Sequence, residues 1–280
     1  MPLLHLLILA LVQGVTEFLP VSSSGHLVAA WAVFDSLGWP VPEQAPSDRL
    51  VLDVAVHVGT LLAVCFYFWR DLAAMGAGLL RLLLGRPSPG ARLLFYVLVG
   101  TLPLFLAGYL FKDAIVVLLR DLRVVAWASI GFGLLLWLAD RMALTVRRLE
   151  HLTLGGALFV GVAQVLALVP GTSRSGITMT AARFLGFERV EAARFSLLLA
   201  IPAIIGAGAL AGVDLYESGD PRLGLDALIA ALVAFLVALA AIALMMRWLR
   251  RAGFLPFVVY RILFGIALLV WASELAPAAG

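Results

Sequence analysis

The sequence predicts an all-α protein that crosses a membrane repeatedly, with six transmembrane helices and two re-entrant helical hairpins arranged as an inverted-topology repeat. Three observations lead there. Hydrophobic residues make up 63% of the 280 positions and charged residues 13%, with a mean hydropathy of +1.07, which would expose more apolar surface than water tolerates around a soluble domain. Six apolar runs are long enough to cross roughly 30 Å of hydrocarbon, which takes about 20 helical residues. Two further hydrophobic regions, 2–34 and 152–187, are each broken by a proline followed by small polar residues. The same composition excludes other classes. With 19 Arg and 1 Lys against 17 acidic residues, the net charge of +3 is too small to suggest a nucleic-acid partner. Cys65 is the only cysteine, so no disulfide framework can form within the chain, and no Cys/His spacing suggests zinc. No Lys or Arg precedes the first apolar run, so that segment is expected to stay in the mature protein rather than serve as a cleaved signal.

In chain order, the first broken region opens with an apolar run from Pro2 to Val12 and then gathers a Gln, a Glu, three Ser and a His in QGVTEFLPVSSSGH at 13–26. Irregular backbone cannot face lipid, because unpaired N–H and C=O groups are costly there, so the Pro-Val-Ser-Ser-Ser-Gly turn must line a cavity inside the protein. The segment 26–37 is too short to cross, and Ser22 to Ser24 suit the start of a second half-helix, since Ser side chains cap orphan amides. Spans follow at about 50–69, 93–111 and 122–139, then the second broken region, then spans at about 192–213, 223–246 and 255–273. Loop charge orients them. Arg70, Arg81, Arg86 and Arg92, then Arg141, Arg147 and Arg148, then Arg247, Arg250 and Arg251 mark the cytoplasmic loops; Asp35, Glu43 and Asp48, then Asp214, Glu217 and Asp220, mark the outer ones. The basic arms 70–92 and 140–151 read as surface facing anionic lipid heads. Both termini are expected outside.

The two broken regions resemble each other. LVQGVTEFLPVSSSGHL at 11–27 aligns with GVAQVLALVPGTSRSGI at 161–177, Pro20 on Pro170 and Ser23 on Ser173 at one offset, and Gln13, Ser24 and Gly25 on Gln164, Ser175 and Gly176 one residue later. Each region precedes three spans, an odd number of crossings, so the second copy is inserted upside down. The chain then forms one membrane unit over 1–280, with halves of about 1–148 and 149–280 and broken helices meeting near the midplane. Two half-helix N-termini converge with their positive ends inward, a ready anion site.

The stretch QGVTEFLPVSSSGH, with its Gln13-x-x-x-Glu17 spacing, PGTSRSGITMT at 170–180 and DVAVHVGTLLAV at 53–64 together resemble the undecaprenyl-diphosphate phosphatase family of bacterial inner membranes, associated with bacitracin resistance. The resemblance runs the length of the chain. It implies hydrolysis of a long polyprenyl diphosphate to its monophosphate, recycling the lipid carrier of cell-wall synthesis, dependence on a divalent cation, Mg²⁺ or Ca²⁺, and a site opening to the periplasmic side. Many relatives carry Glu where this chain has Gln13, which removes a second carboxylate for the metal.

Hydrolysis of a diphosphate needs charge neutralisation, a positioned nucleophile and a proton acceptor. Arg174 is the natural clamp, its fork matching phosphate oxygens among hydroxyl donors at a helix start. Glu17 and Gln13 project from one helical face. Glu17 either holds the cation or takes a proton, and Gln13 either coordinates through its amide oxygen or joins helices. Ser23 is the expected nucleophile, because it matches the family position and precedes His26 by three; His26 would serve as base or acid. Ser22 reads as a cap, Ser24 as a packing or phosphate contact, Ser175 as part of the second helix start, and Ser173 and Thr178 as phosphate donors or caps. Asp53 and His57 are expected to pair with each other. Arg183, Glu188, Arg189 and Glu191 read as a solvated cytoplasmic corner without chemistry. Expected partners are the polyprenyl diphosphate, the membrane lipids and, as an open option, a second copy of the chain forming a homodimer. A transporter or flippase for a lipid phosphate is the alternative, since inverted repeats with broken helices serve alternating access; a carrier, however, has no evident need of Ser23, His26 and Glu17 together.

Overall fold

The computed structural model describes residues 3–38, 46–111, 121–143, 147–218 and 221–275, and within them every regular element is helical. Eleven α-helices follow one another: α1 (Leu3–Thr16), α2 (Ser23–Ser36), α3 (Pro46–Tyr67), α4 (Trp69–Leu83), α5 (Pro89–Leu110), α6 (Leu122–Met142), α7 (Leu154–Val165), α8 (Arg174–Phe184), α9 (Arg189–Ser218), α10 (Pro221–Leu249) and α11 (Leu255–Leu275). Four of them, α5, α6, α10 and α11, are long and apolar enough to cross a membrane, and α3 with α4 would make a fifth if the bent pair counts as one span.

One sequence expectation needs correction here. Residues 70–92 were expected to be a basic loop, yet the helix resumes at Trp69 after a 77° bend and continues to Leu83. Tertiary packing explains it: Leu72 and Met75 join the main apolar core, and the α4 and α5 backbones come close where Gly78 lies against Gly90 and Ala91. The actual break before α5 is short, and Ser88 caps it by accepting from the Ala91 amide at 3.3 Å, with Pro89 in the first turn.

The two broken regions are helix–turn–helix pairs. At about 1.5 Å of rise per residue, the 14 residues each of α1 and α2 and the 12 and 11 of α7 and α8 all give rods of roughly 16–21 Å. None reaches across a bilayer core of about 30 Å. α1 lies against α10 while α7 lies against α5, so each broken pair packs on a helix of the other half, and α6 packs against α11. α1 runs parallel to α10: Leu6 and Ala10 cluster with Ala227, Ala230 and Ala234, and Gly14 follows against Val237. The main core gathers Phe18 from the first turn, Leu136 from α6, Met179 from α8, Phe195 and Leu197 to Leu199 from α9, and Ile242 from α10.

The corner at the far end of α8 is only partly the solvated surface the sequence suggested: the Glu188 and Arg189 side chains remain substantially exposed, but that of Arg183 does not. Arg183 is fully buried. Its Nε donates to Asp140 Oδ1 at 3.1 Å, a second nitrogen donates to the Asp140 carbonyl at 3.3 Å, and the third donates to the Phe187 carbonyl. Asp140 also accepts from Arg189 at 2.8 Å and from the Phe254 amide at 3.3 Å, so one carboxylate joins α6, α8, α9 and the start of α11. Around it Arg148 pairs with Glu188 at 3.2 Å, Glu191 accepts from the Leu149 amide at 3.3 Å, and Arg194 pairs with Asp71 of α4. Burial requires Arg183 to be paired and hydrogen-bonded, and Asp140, far off in sequence, does both.

Candidate functional site

The two turns that interrupt the short helices are built alike. Among the described residues, Ser22 (φ 75°) and Ser173 (φ 72°) are the only non-glycine residues with positive φ, a conformation that L side chains adopt only when their surroundings compel it. Each caps its helix. Ser22 Oγ accepts from the Gly25 amide at 3.4 Å and Ser173 Oγ from the Gly176 amide at 3.1 Å, and each hydroxyl meets the serine two residues on, Ser24 at 3.3 Å and Ser175 at 3.1 Å. This corrects the register of the repeat. Ser22 corresponds to Ser173, at the same spacing that relates Gln13 to Gln164 and Gly25 to Gly176, so the pairing of Pro20 with Pro170 and of Ser23 with Ser173 does not hold through the turn. Ser23 and Arg174 then occupy equivalent places, each the first residue of its half-helix.

The turns also interlock. The Gly171 amide donates to Ser22 Oγ at 3.1 Å and Ser175 Oγ donates to the Leu19 carbonyl at 2.8 Å. Gly171 has φ +92°, and a Cβ there would stand 2.3 Å from the Val125 carbonyl oxygen, so only glycine fits between the turn and α6.

Glu17 is where the two halves meet chemically. Its carboxylate is nearly buried and accepts from Gln13 Nε2 at 2.8 Å and Ser23 Oγ at 2.7 Å on one oxygen, and from Arg174 at 3.0 Å on the other. Arg174 reaches the Ser196 carbonyl at 3.5 Å with its other arm. His57 Nε2 of α3 stands 3.9 Å from Glu17 and is the more open member, 34% exposed against 6% for Glu17 and 14% for Arg174. A carboxylate that receives a serine hydroxyl is oriented to take its proton, and a guanidinium with five N–H donors keeps others for an anion.

The structure thus brings together Gln13, Glu17, Ser23 and Arg174. His26 is elsewhere. Its Nδ1 contacts the Ser22 carbonyl at 2.7 Å and its Nε2 the Tyr260 hydroxyl at 2.5 Å, and the ring stacks on Phe264 at 4.1 Å and on Tyr260 at 5.5 Å. The expected Ser23–His26 contact is not made, because Ser23 begins the helix and its hydroxyl turns back across the break to Glu17. Ser22 and Ser173 are caps, Ser24 is exposed beside Ser22, and Ser175 ties the second turn to the first. Thr178 bonds back to the Arg174 carbonyl at 2.8 Å and across to Ser196 Oγ at 2.7 Å, joining α8 to α9. The Asp53 side chain, expected to pair with His57, lies outside the described residues. Sequence reasoning passed over three groups: His57 as a neighbour of Glu17, Tyr260 as the partner of His26, and Arg261. The last had a readable signal, a guanidinium inside the apolar run 255–273, where charge is costly and kept for a purpose.

The oxygen donors beside Glu17 bear on the expected divalent cation. Gln13 Oε1 is buried without a hydrogen-bond partner while the other end of the same amide touches Glu17. No group of three or more His, Cys, Asp or Glu side chains forms a metal cluster among the described residues. An amide oxygen beside one carboxylate is a donor set that would fit a hard cation such as Mg²⁺ or Ca²⁺.

The family described as bacitracin resistance protein BacA matches residues 6–267, a range that includes both broken turns. The chain is similar to undecaprenyl-diphosphatase 1 of Rhodospirillum rubrum, with 52% identity over 281 residues and 99% of each chain covered. It is also similar to the undecaprenyl-diphosphatase of Roseobacter denitrificans, with 46% identity over 274 residues covering 97% of this chain and 99% of the other. The undecaprenyl-diphosphatase of Ruegeria pomeroyi is 47% identical over 271 residues, covering 96% and 98% respectively.

Proposed function

The chain belongs to the bacitracin resistance protein BacA family and acts as an undecaprenyl-diphosphatase, and we propose that the reaction takes place between the two broken turns, at Glu17. The observation that carries this reading is the double engagement of Glu17, by Ser23 from one half and by Arg174 from the other. In this reading the diphosphate lies between the N-termini of α2 and α8, the proposed binding basin, where converging helix ends favour an anion. Arg174 moves part of its fork from Glu17 to the phosphate oxygens and neutralises the charge that spreads over them in the transition state. Ser23 Oγ attacks the terminal phosphorus while its proton passes to Glu17. The bond from that phosphorus to the bridging oxygen breaks, and undecaprenyl phosphate leaves. Water then attacks the phosphoserine, the Ser23 Oγ–phosphorus bond breaks, Glu17 returns its proton to Oγ, and phosphate leaves with both protons of the water. Gln13 Oε1 and the Glu17 carboxylate would hold Mg²⁺ or Ca²⁺, which when bound supplies further neutralisation of the diphosphate. His26 fixes the start of α2 against α11 through Ser22 and Tyr260.

Around this site the proposed architecture is six spans and two re-entrant hairpins in an inverted repeat. The placement is in the bacterial inner membrane, with the basin open to the periplasm and both termini outside. Phosphate release from undecaprenyl diphosphate in detergent, where transport has no meaning, tests the reading against a carrier. The parent is expected to turn over, and Ser23→Ala and Glu17→Gln are expected to fall by about a hundredfold or more. Ser23→Ala retaining a tenth of the rate, a loss of about 1.4 kcal/mol, would make water the direct nucleophile and Ser23 a phosphate ligand.

A further inference from the structure

Arg261 stands within α11 and is completely buried. Among the described residues its side chain bonds only to backbone carbonyls. Nε donates to Ser129 at 3.0 Å, NH1 to Pro20 at 3.2 Å, and NH2 to Gly171 and Thr172 at 2.8 Å each, with Ala128 at 3.4 Å. Burying a charge without a counter-charge is expensive, and the three closest groups outside α6 tell where the benefit falls. Pro20 lies two residues before the cap Ser22, and Gly171 and Thr172 are the two residues before the cap Ser173. One guanidinium therefore grips both broken turns just ahead of their caps. Its space is reserved by sequence as well: a Cβ on Gly176, in the first turn of α8, would lie 2.7 Å from NH1.

We infer that Arg261 is a positioning residue for the diphosphate, an inference that rests on the reading of the basin given above. The loop carbonyls ahead of each cap carry negative dipole ends that would oppose an anion. Held on Arg261, these carbonyls are occupied by its N–H groups rather than left to face an anion. The guanidinium, unlike that of Arg174, is not neutralised by a carboxylate in the bonds it makes, so its charge adds to the positive potential of the two helix ends. A fork with several donors in one plane can hold carbonyls from two turns at once; an ammonium cannot reproduce that geometry.

The full-length protein in detergent is assayed for phosphate release from undecaprenyl diphosphate and for competitive inhibition by inorganic pyrophosphate, with thermal unfolding followed in parallel. A parent that releases no phosphate would count against the reading of the site rather than against Arg261. Arg261→Lys is expected to raise the pyrophosphate Ki and lower kcat by about tenfold each, and Arg261→Met by about a hundredfold. Lys and Met variants that are folded and keep the parent's Ki within twofold overturn the inference, whatever happens to kcat. Should neither be recovered folded, Gly176→Ala takes their place; its Cβ would press hardest on NH1, at 2.7 Å, and also on the Ser173 side chain, at 3.1 and 3.2 Å, so Ser173→Gly is measured beside it. A Ki raised in Gly176→Ala beyond that of Ser173→Gly supports the inference, and a Ki no higher than that of Ser173→Gly overturns it.

Discussion

Arg174 is held on both sides before any substrate arrives, by the Glu17 carboxylate at 3.0 Å and the Ser196 carbonyl at 3.5 Å. A lysine keeps the charge but has only three donors on a single nitrogen at its tip, so it cannot keep both protein contacts while also holding two phosphate oxygens in the planar fork geometry. Arg174→Lys is therefore expected to lower kcat by about a hundredfold with a much smaller change in KM, and Arg174→Ala to damage both, as steady-state phosphate release would measure. A Lys variant turning over at nearly the parent rate would leave Arg174 with a structural role. Glu17, Ser23 and Arg174 were legible in the sequence because polar groups in so apolar a chain must be paired or used, and the two motifs containing them are short and local. The partner of His26 was not legible. Tyr260 sits on α11, 234 positions away, and only the packing of α11 on α6 and α2 brings that hydroxyl to the imidazole. The same distance hid the reach of Arg261 to both turns.

The broken helices were legible from proline and serine, whereas their exact register was not, because the similarity of the two copies shifts by one residue at the turn and only the caps fix it. Those caps make a measurable claim. Ser173 spends an unfavourable φ of 72° to place its hydroxyl on the Gly176 amide. Alanine keeps the strain and loses the bond, while glycine loses the bond and relieves the strain. Ser173→Ala is thus expected to lose about 1–2 kcal/mol of stability, and Ser173→Gly less. Thermal or denaturant unfolding in detergent orders the two, and glycine proving the worse of the pair would refute the cap reading. The α3–α4 bend lay beyond sequence reasoning for a different reason: nothing at Phe68 marks a break, and the second helix exists because its inner face finds α5 to pack against, with Asp71 paired to Arg194 of α9.

Charge and packing together give a handed arrangement of the whole chain that labelling can test. The Arg-rich ends of α4, α6 and α10 should face the cytoplasm. Because α1 lies parallel to α10, α1 starts where α10 starts, on the opposite side, and it ends against the middle of α10, where Gly14 meets Val237. α2 then leads the chain back, so Ser36 and the start of α1 should lie on the same outer face, together with Glu274 at the end of α11. In a Cys65→Ala background, single cysteines at Ser36 and Glu274 are expected to react with an impermeant thiol reagent on intact cells. Cysteines at Arg86 and Arg250 are expected to react only after permeabilisation; all four native side chains are exposed in the folded chain. Reversal of all four would invert the protein and turn the basin toward the cytoplasm. Labelling of Glu274 from outside with Ser36 reached only from inside would be more damaging, since the first pair would then cross the membrane. The two broken turns would no longer enter from opposite faces, and the convergence of Ser23 and Arg174 on Glu17 would need another explanation.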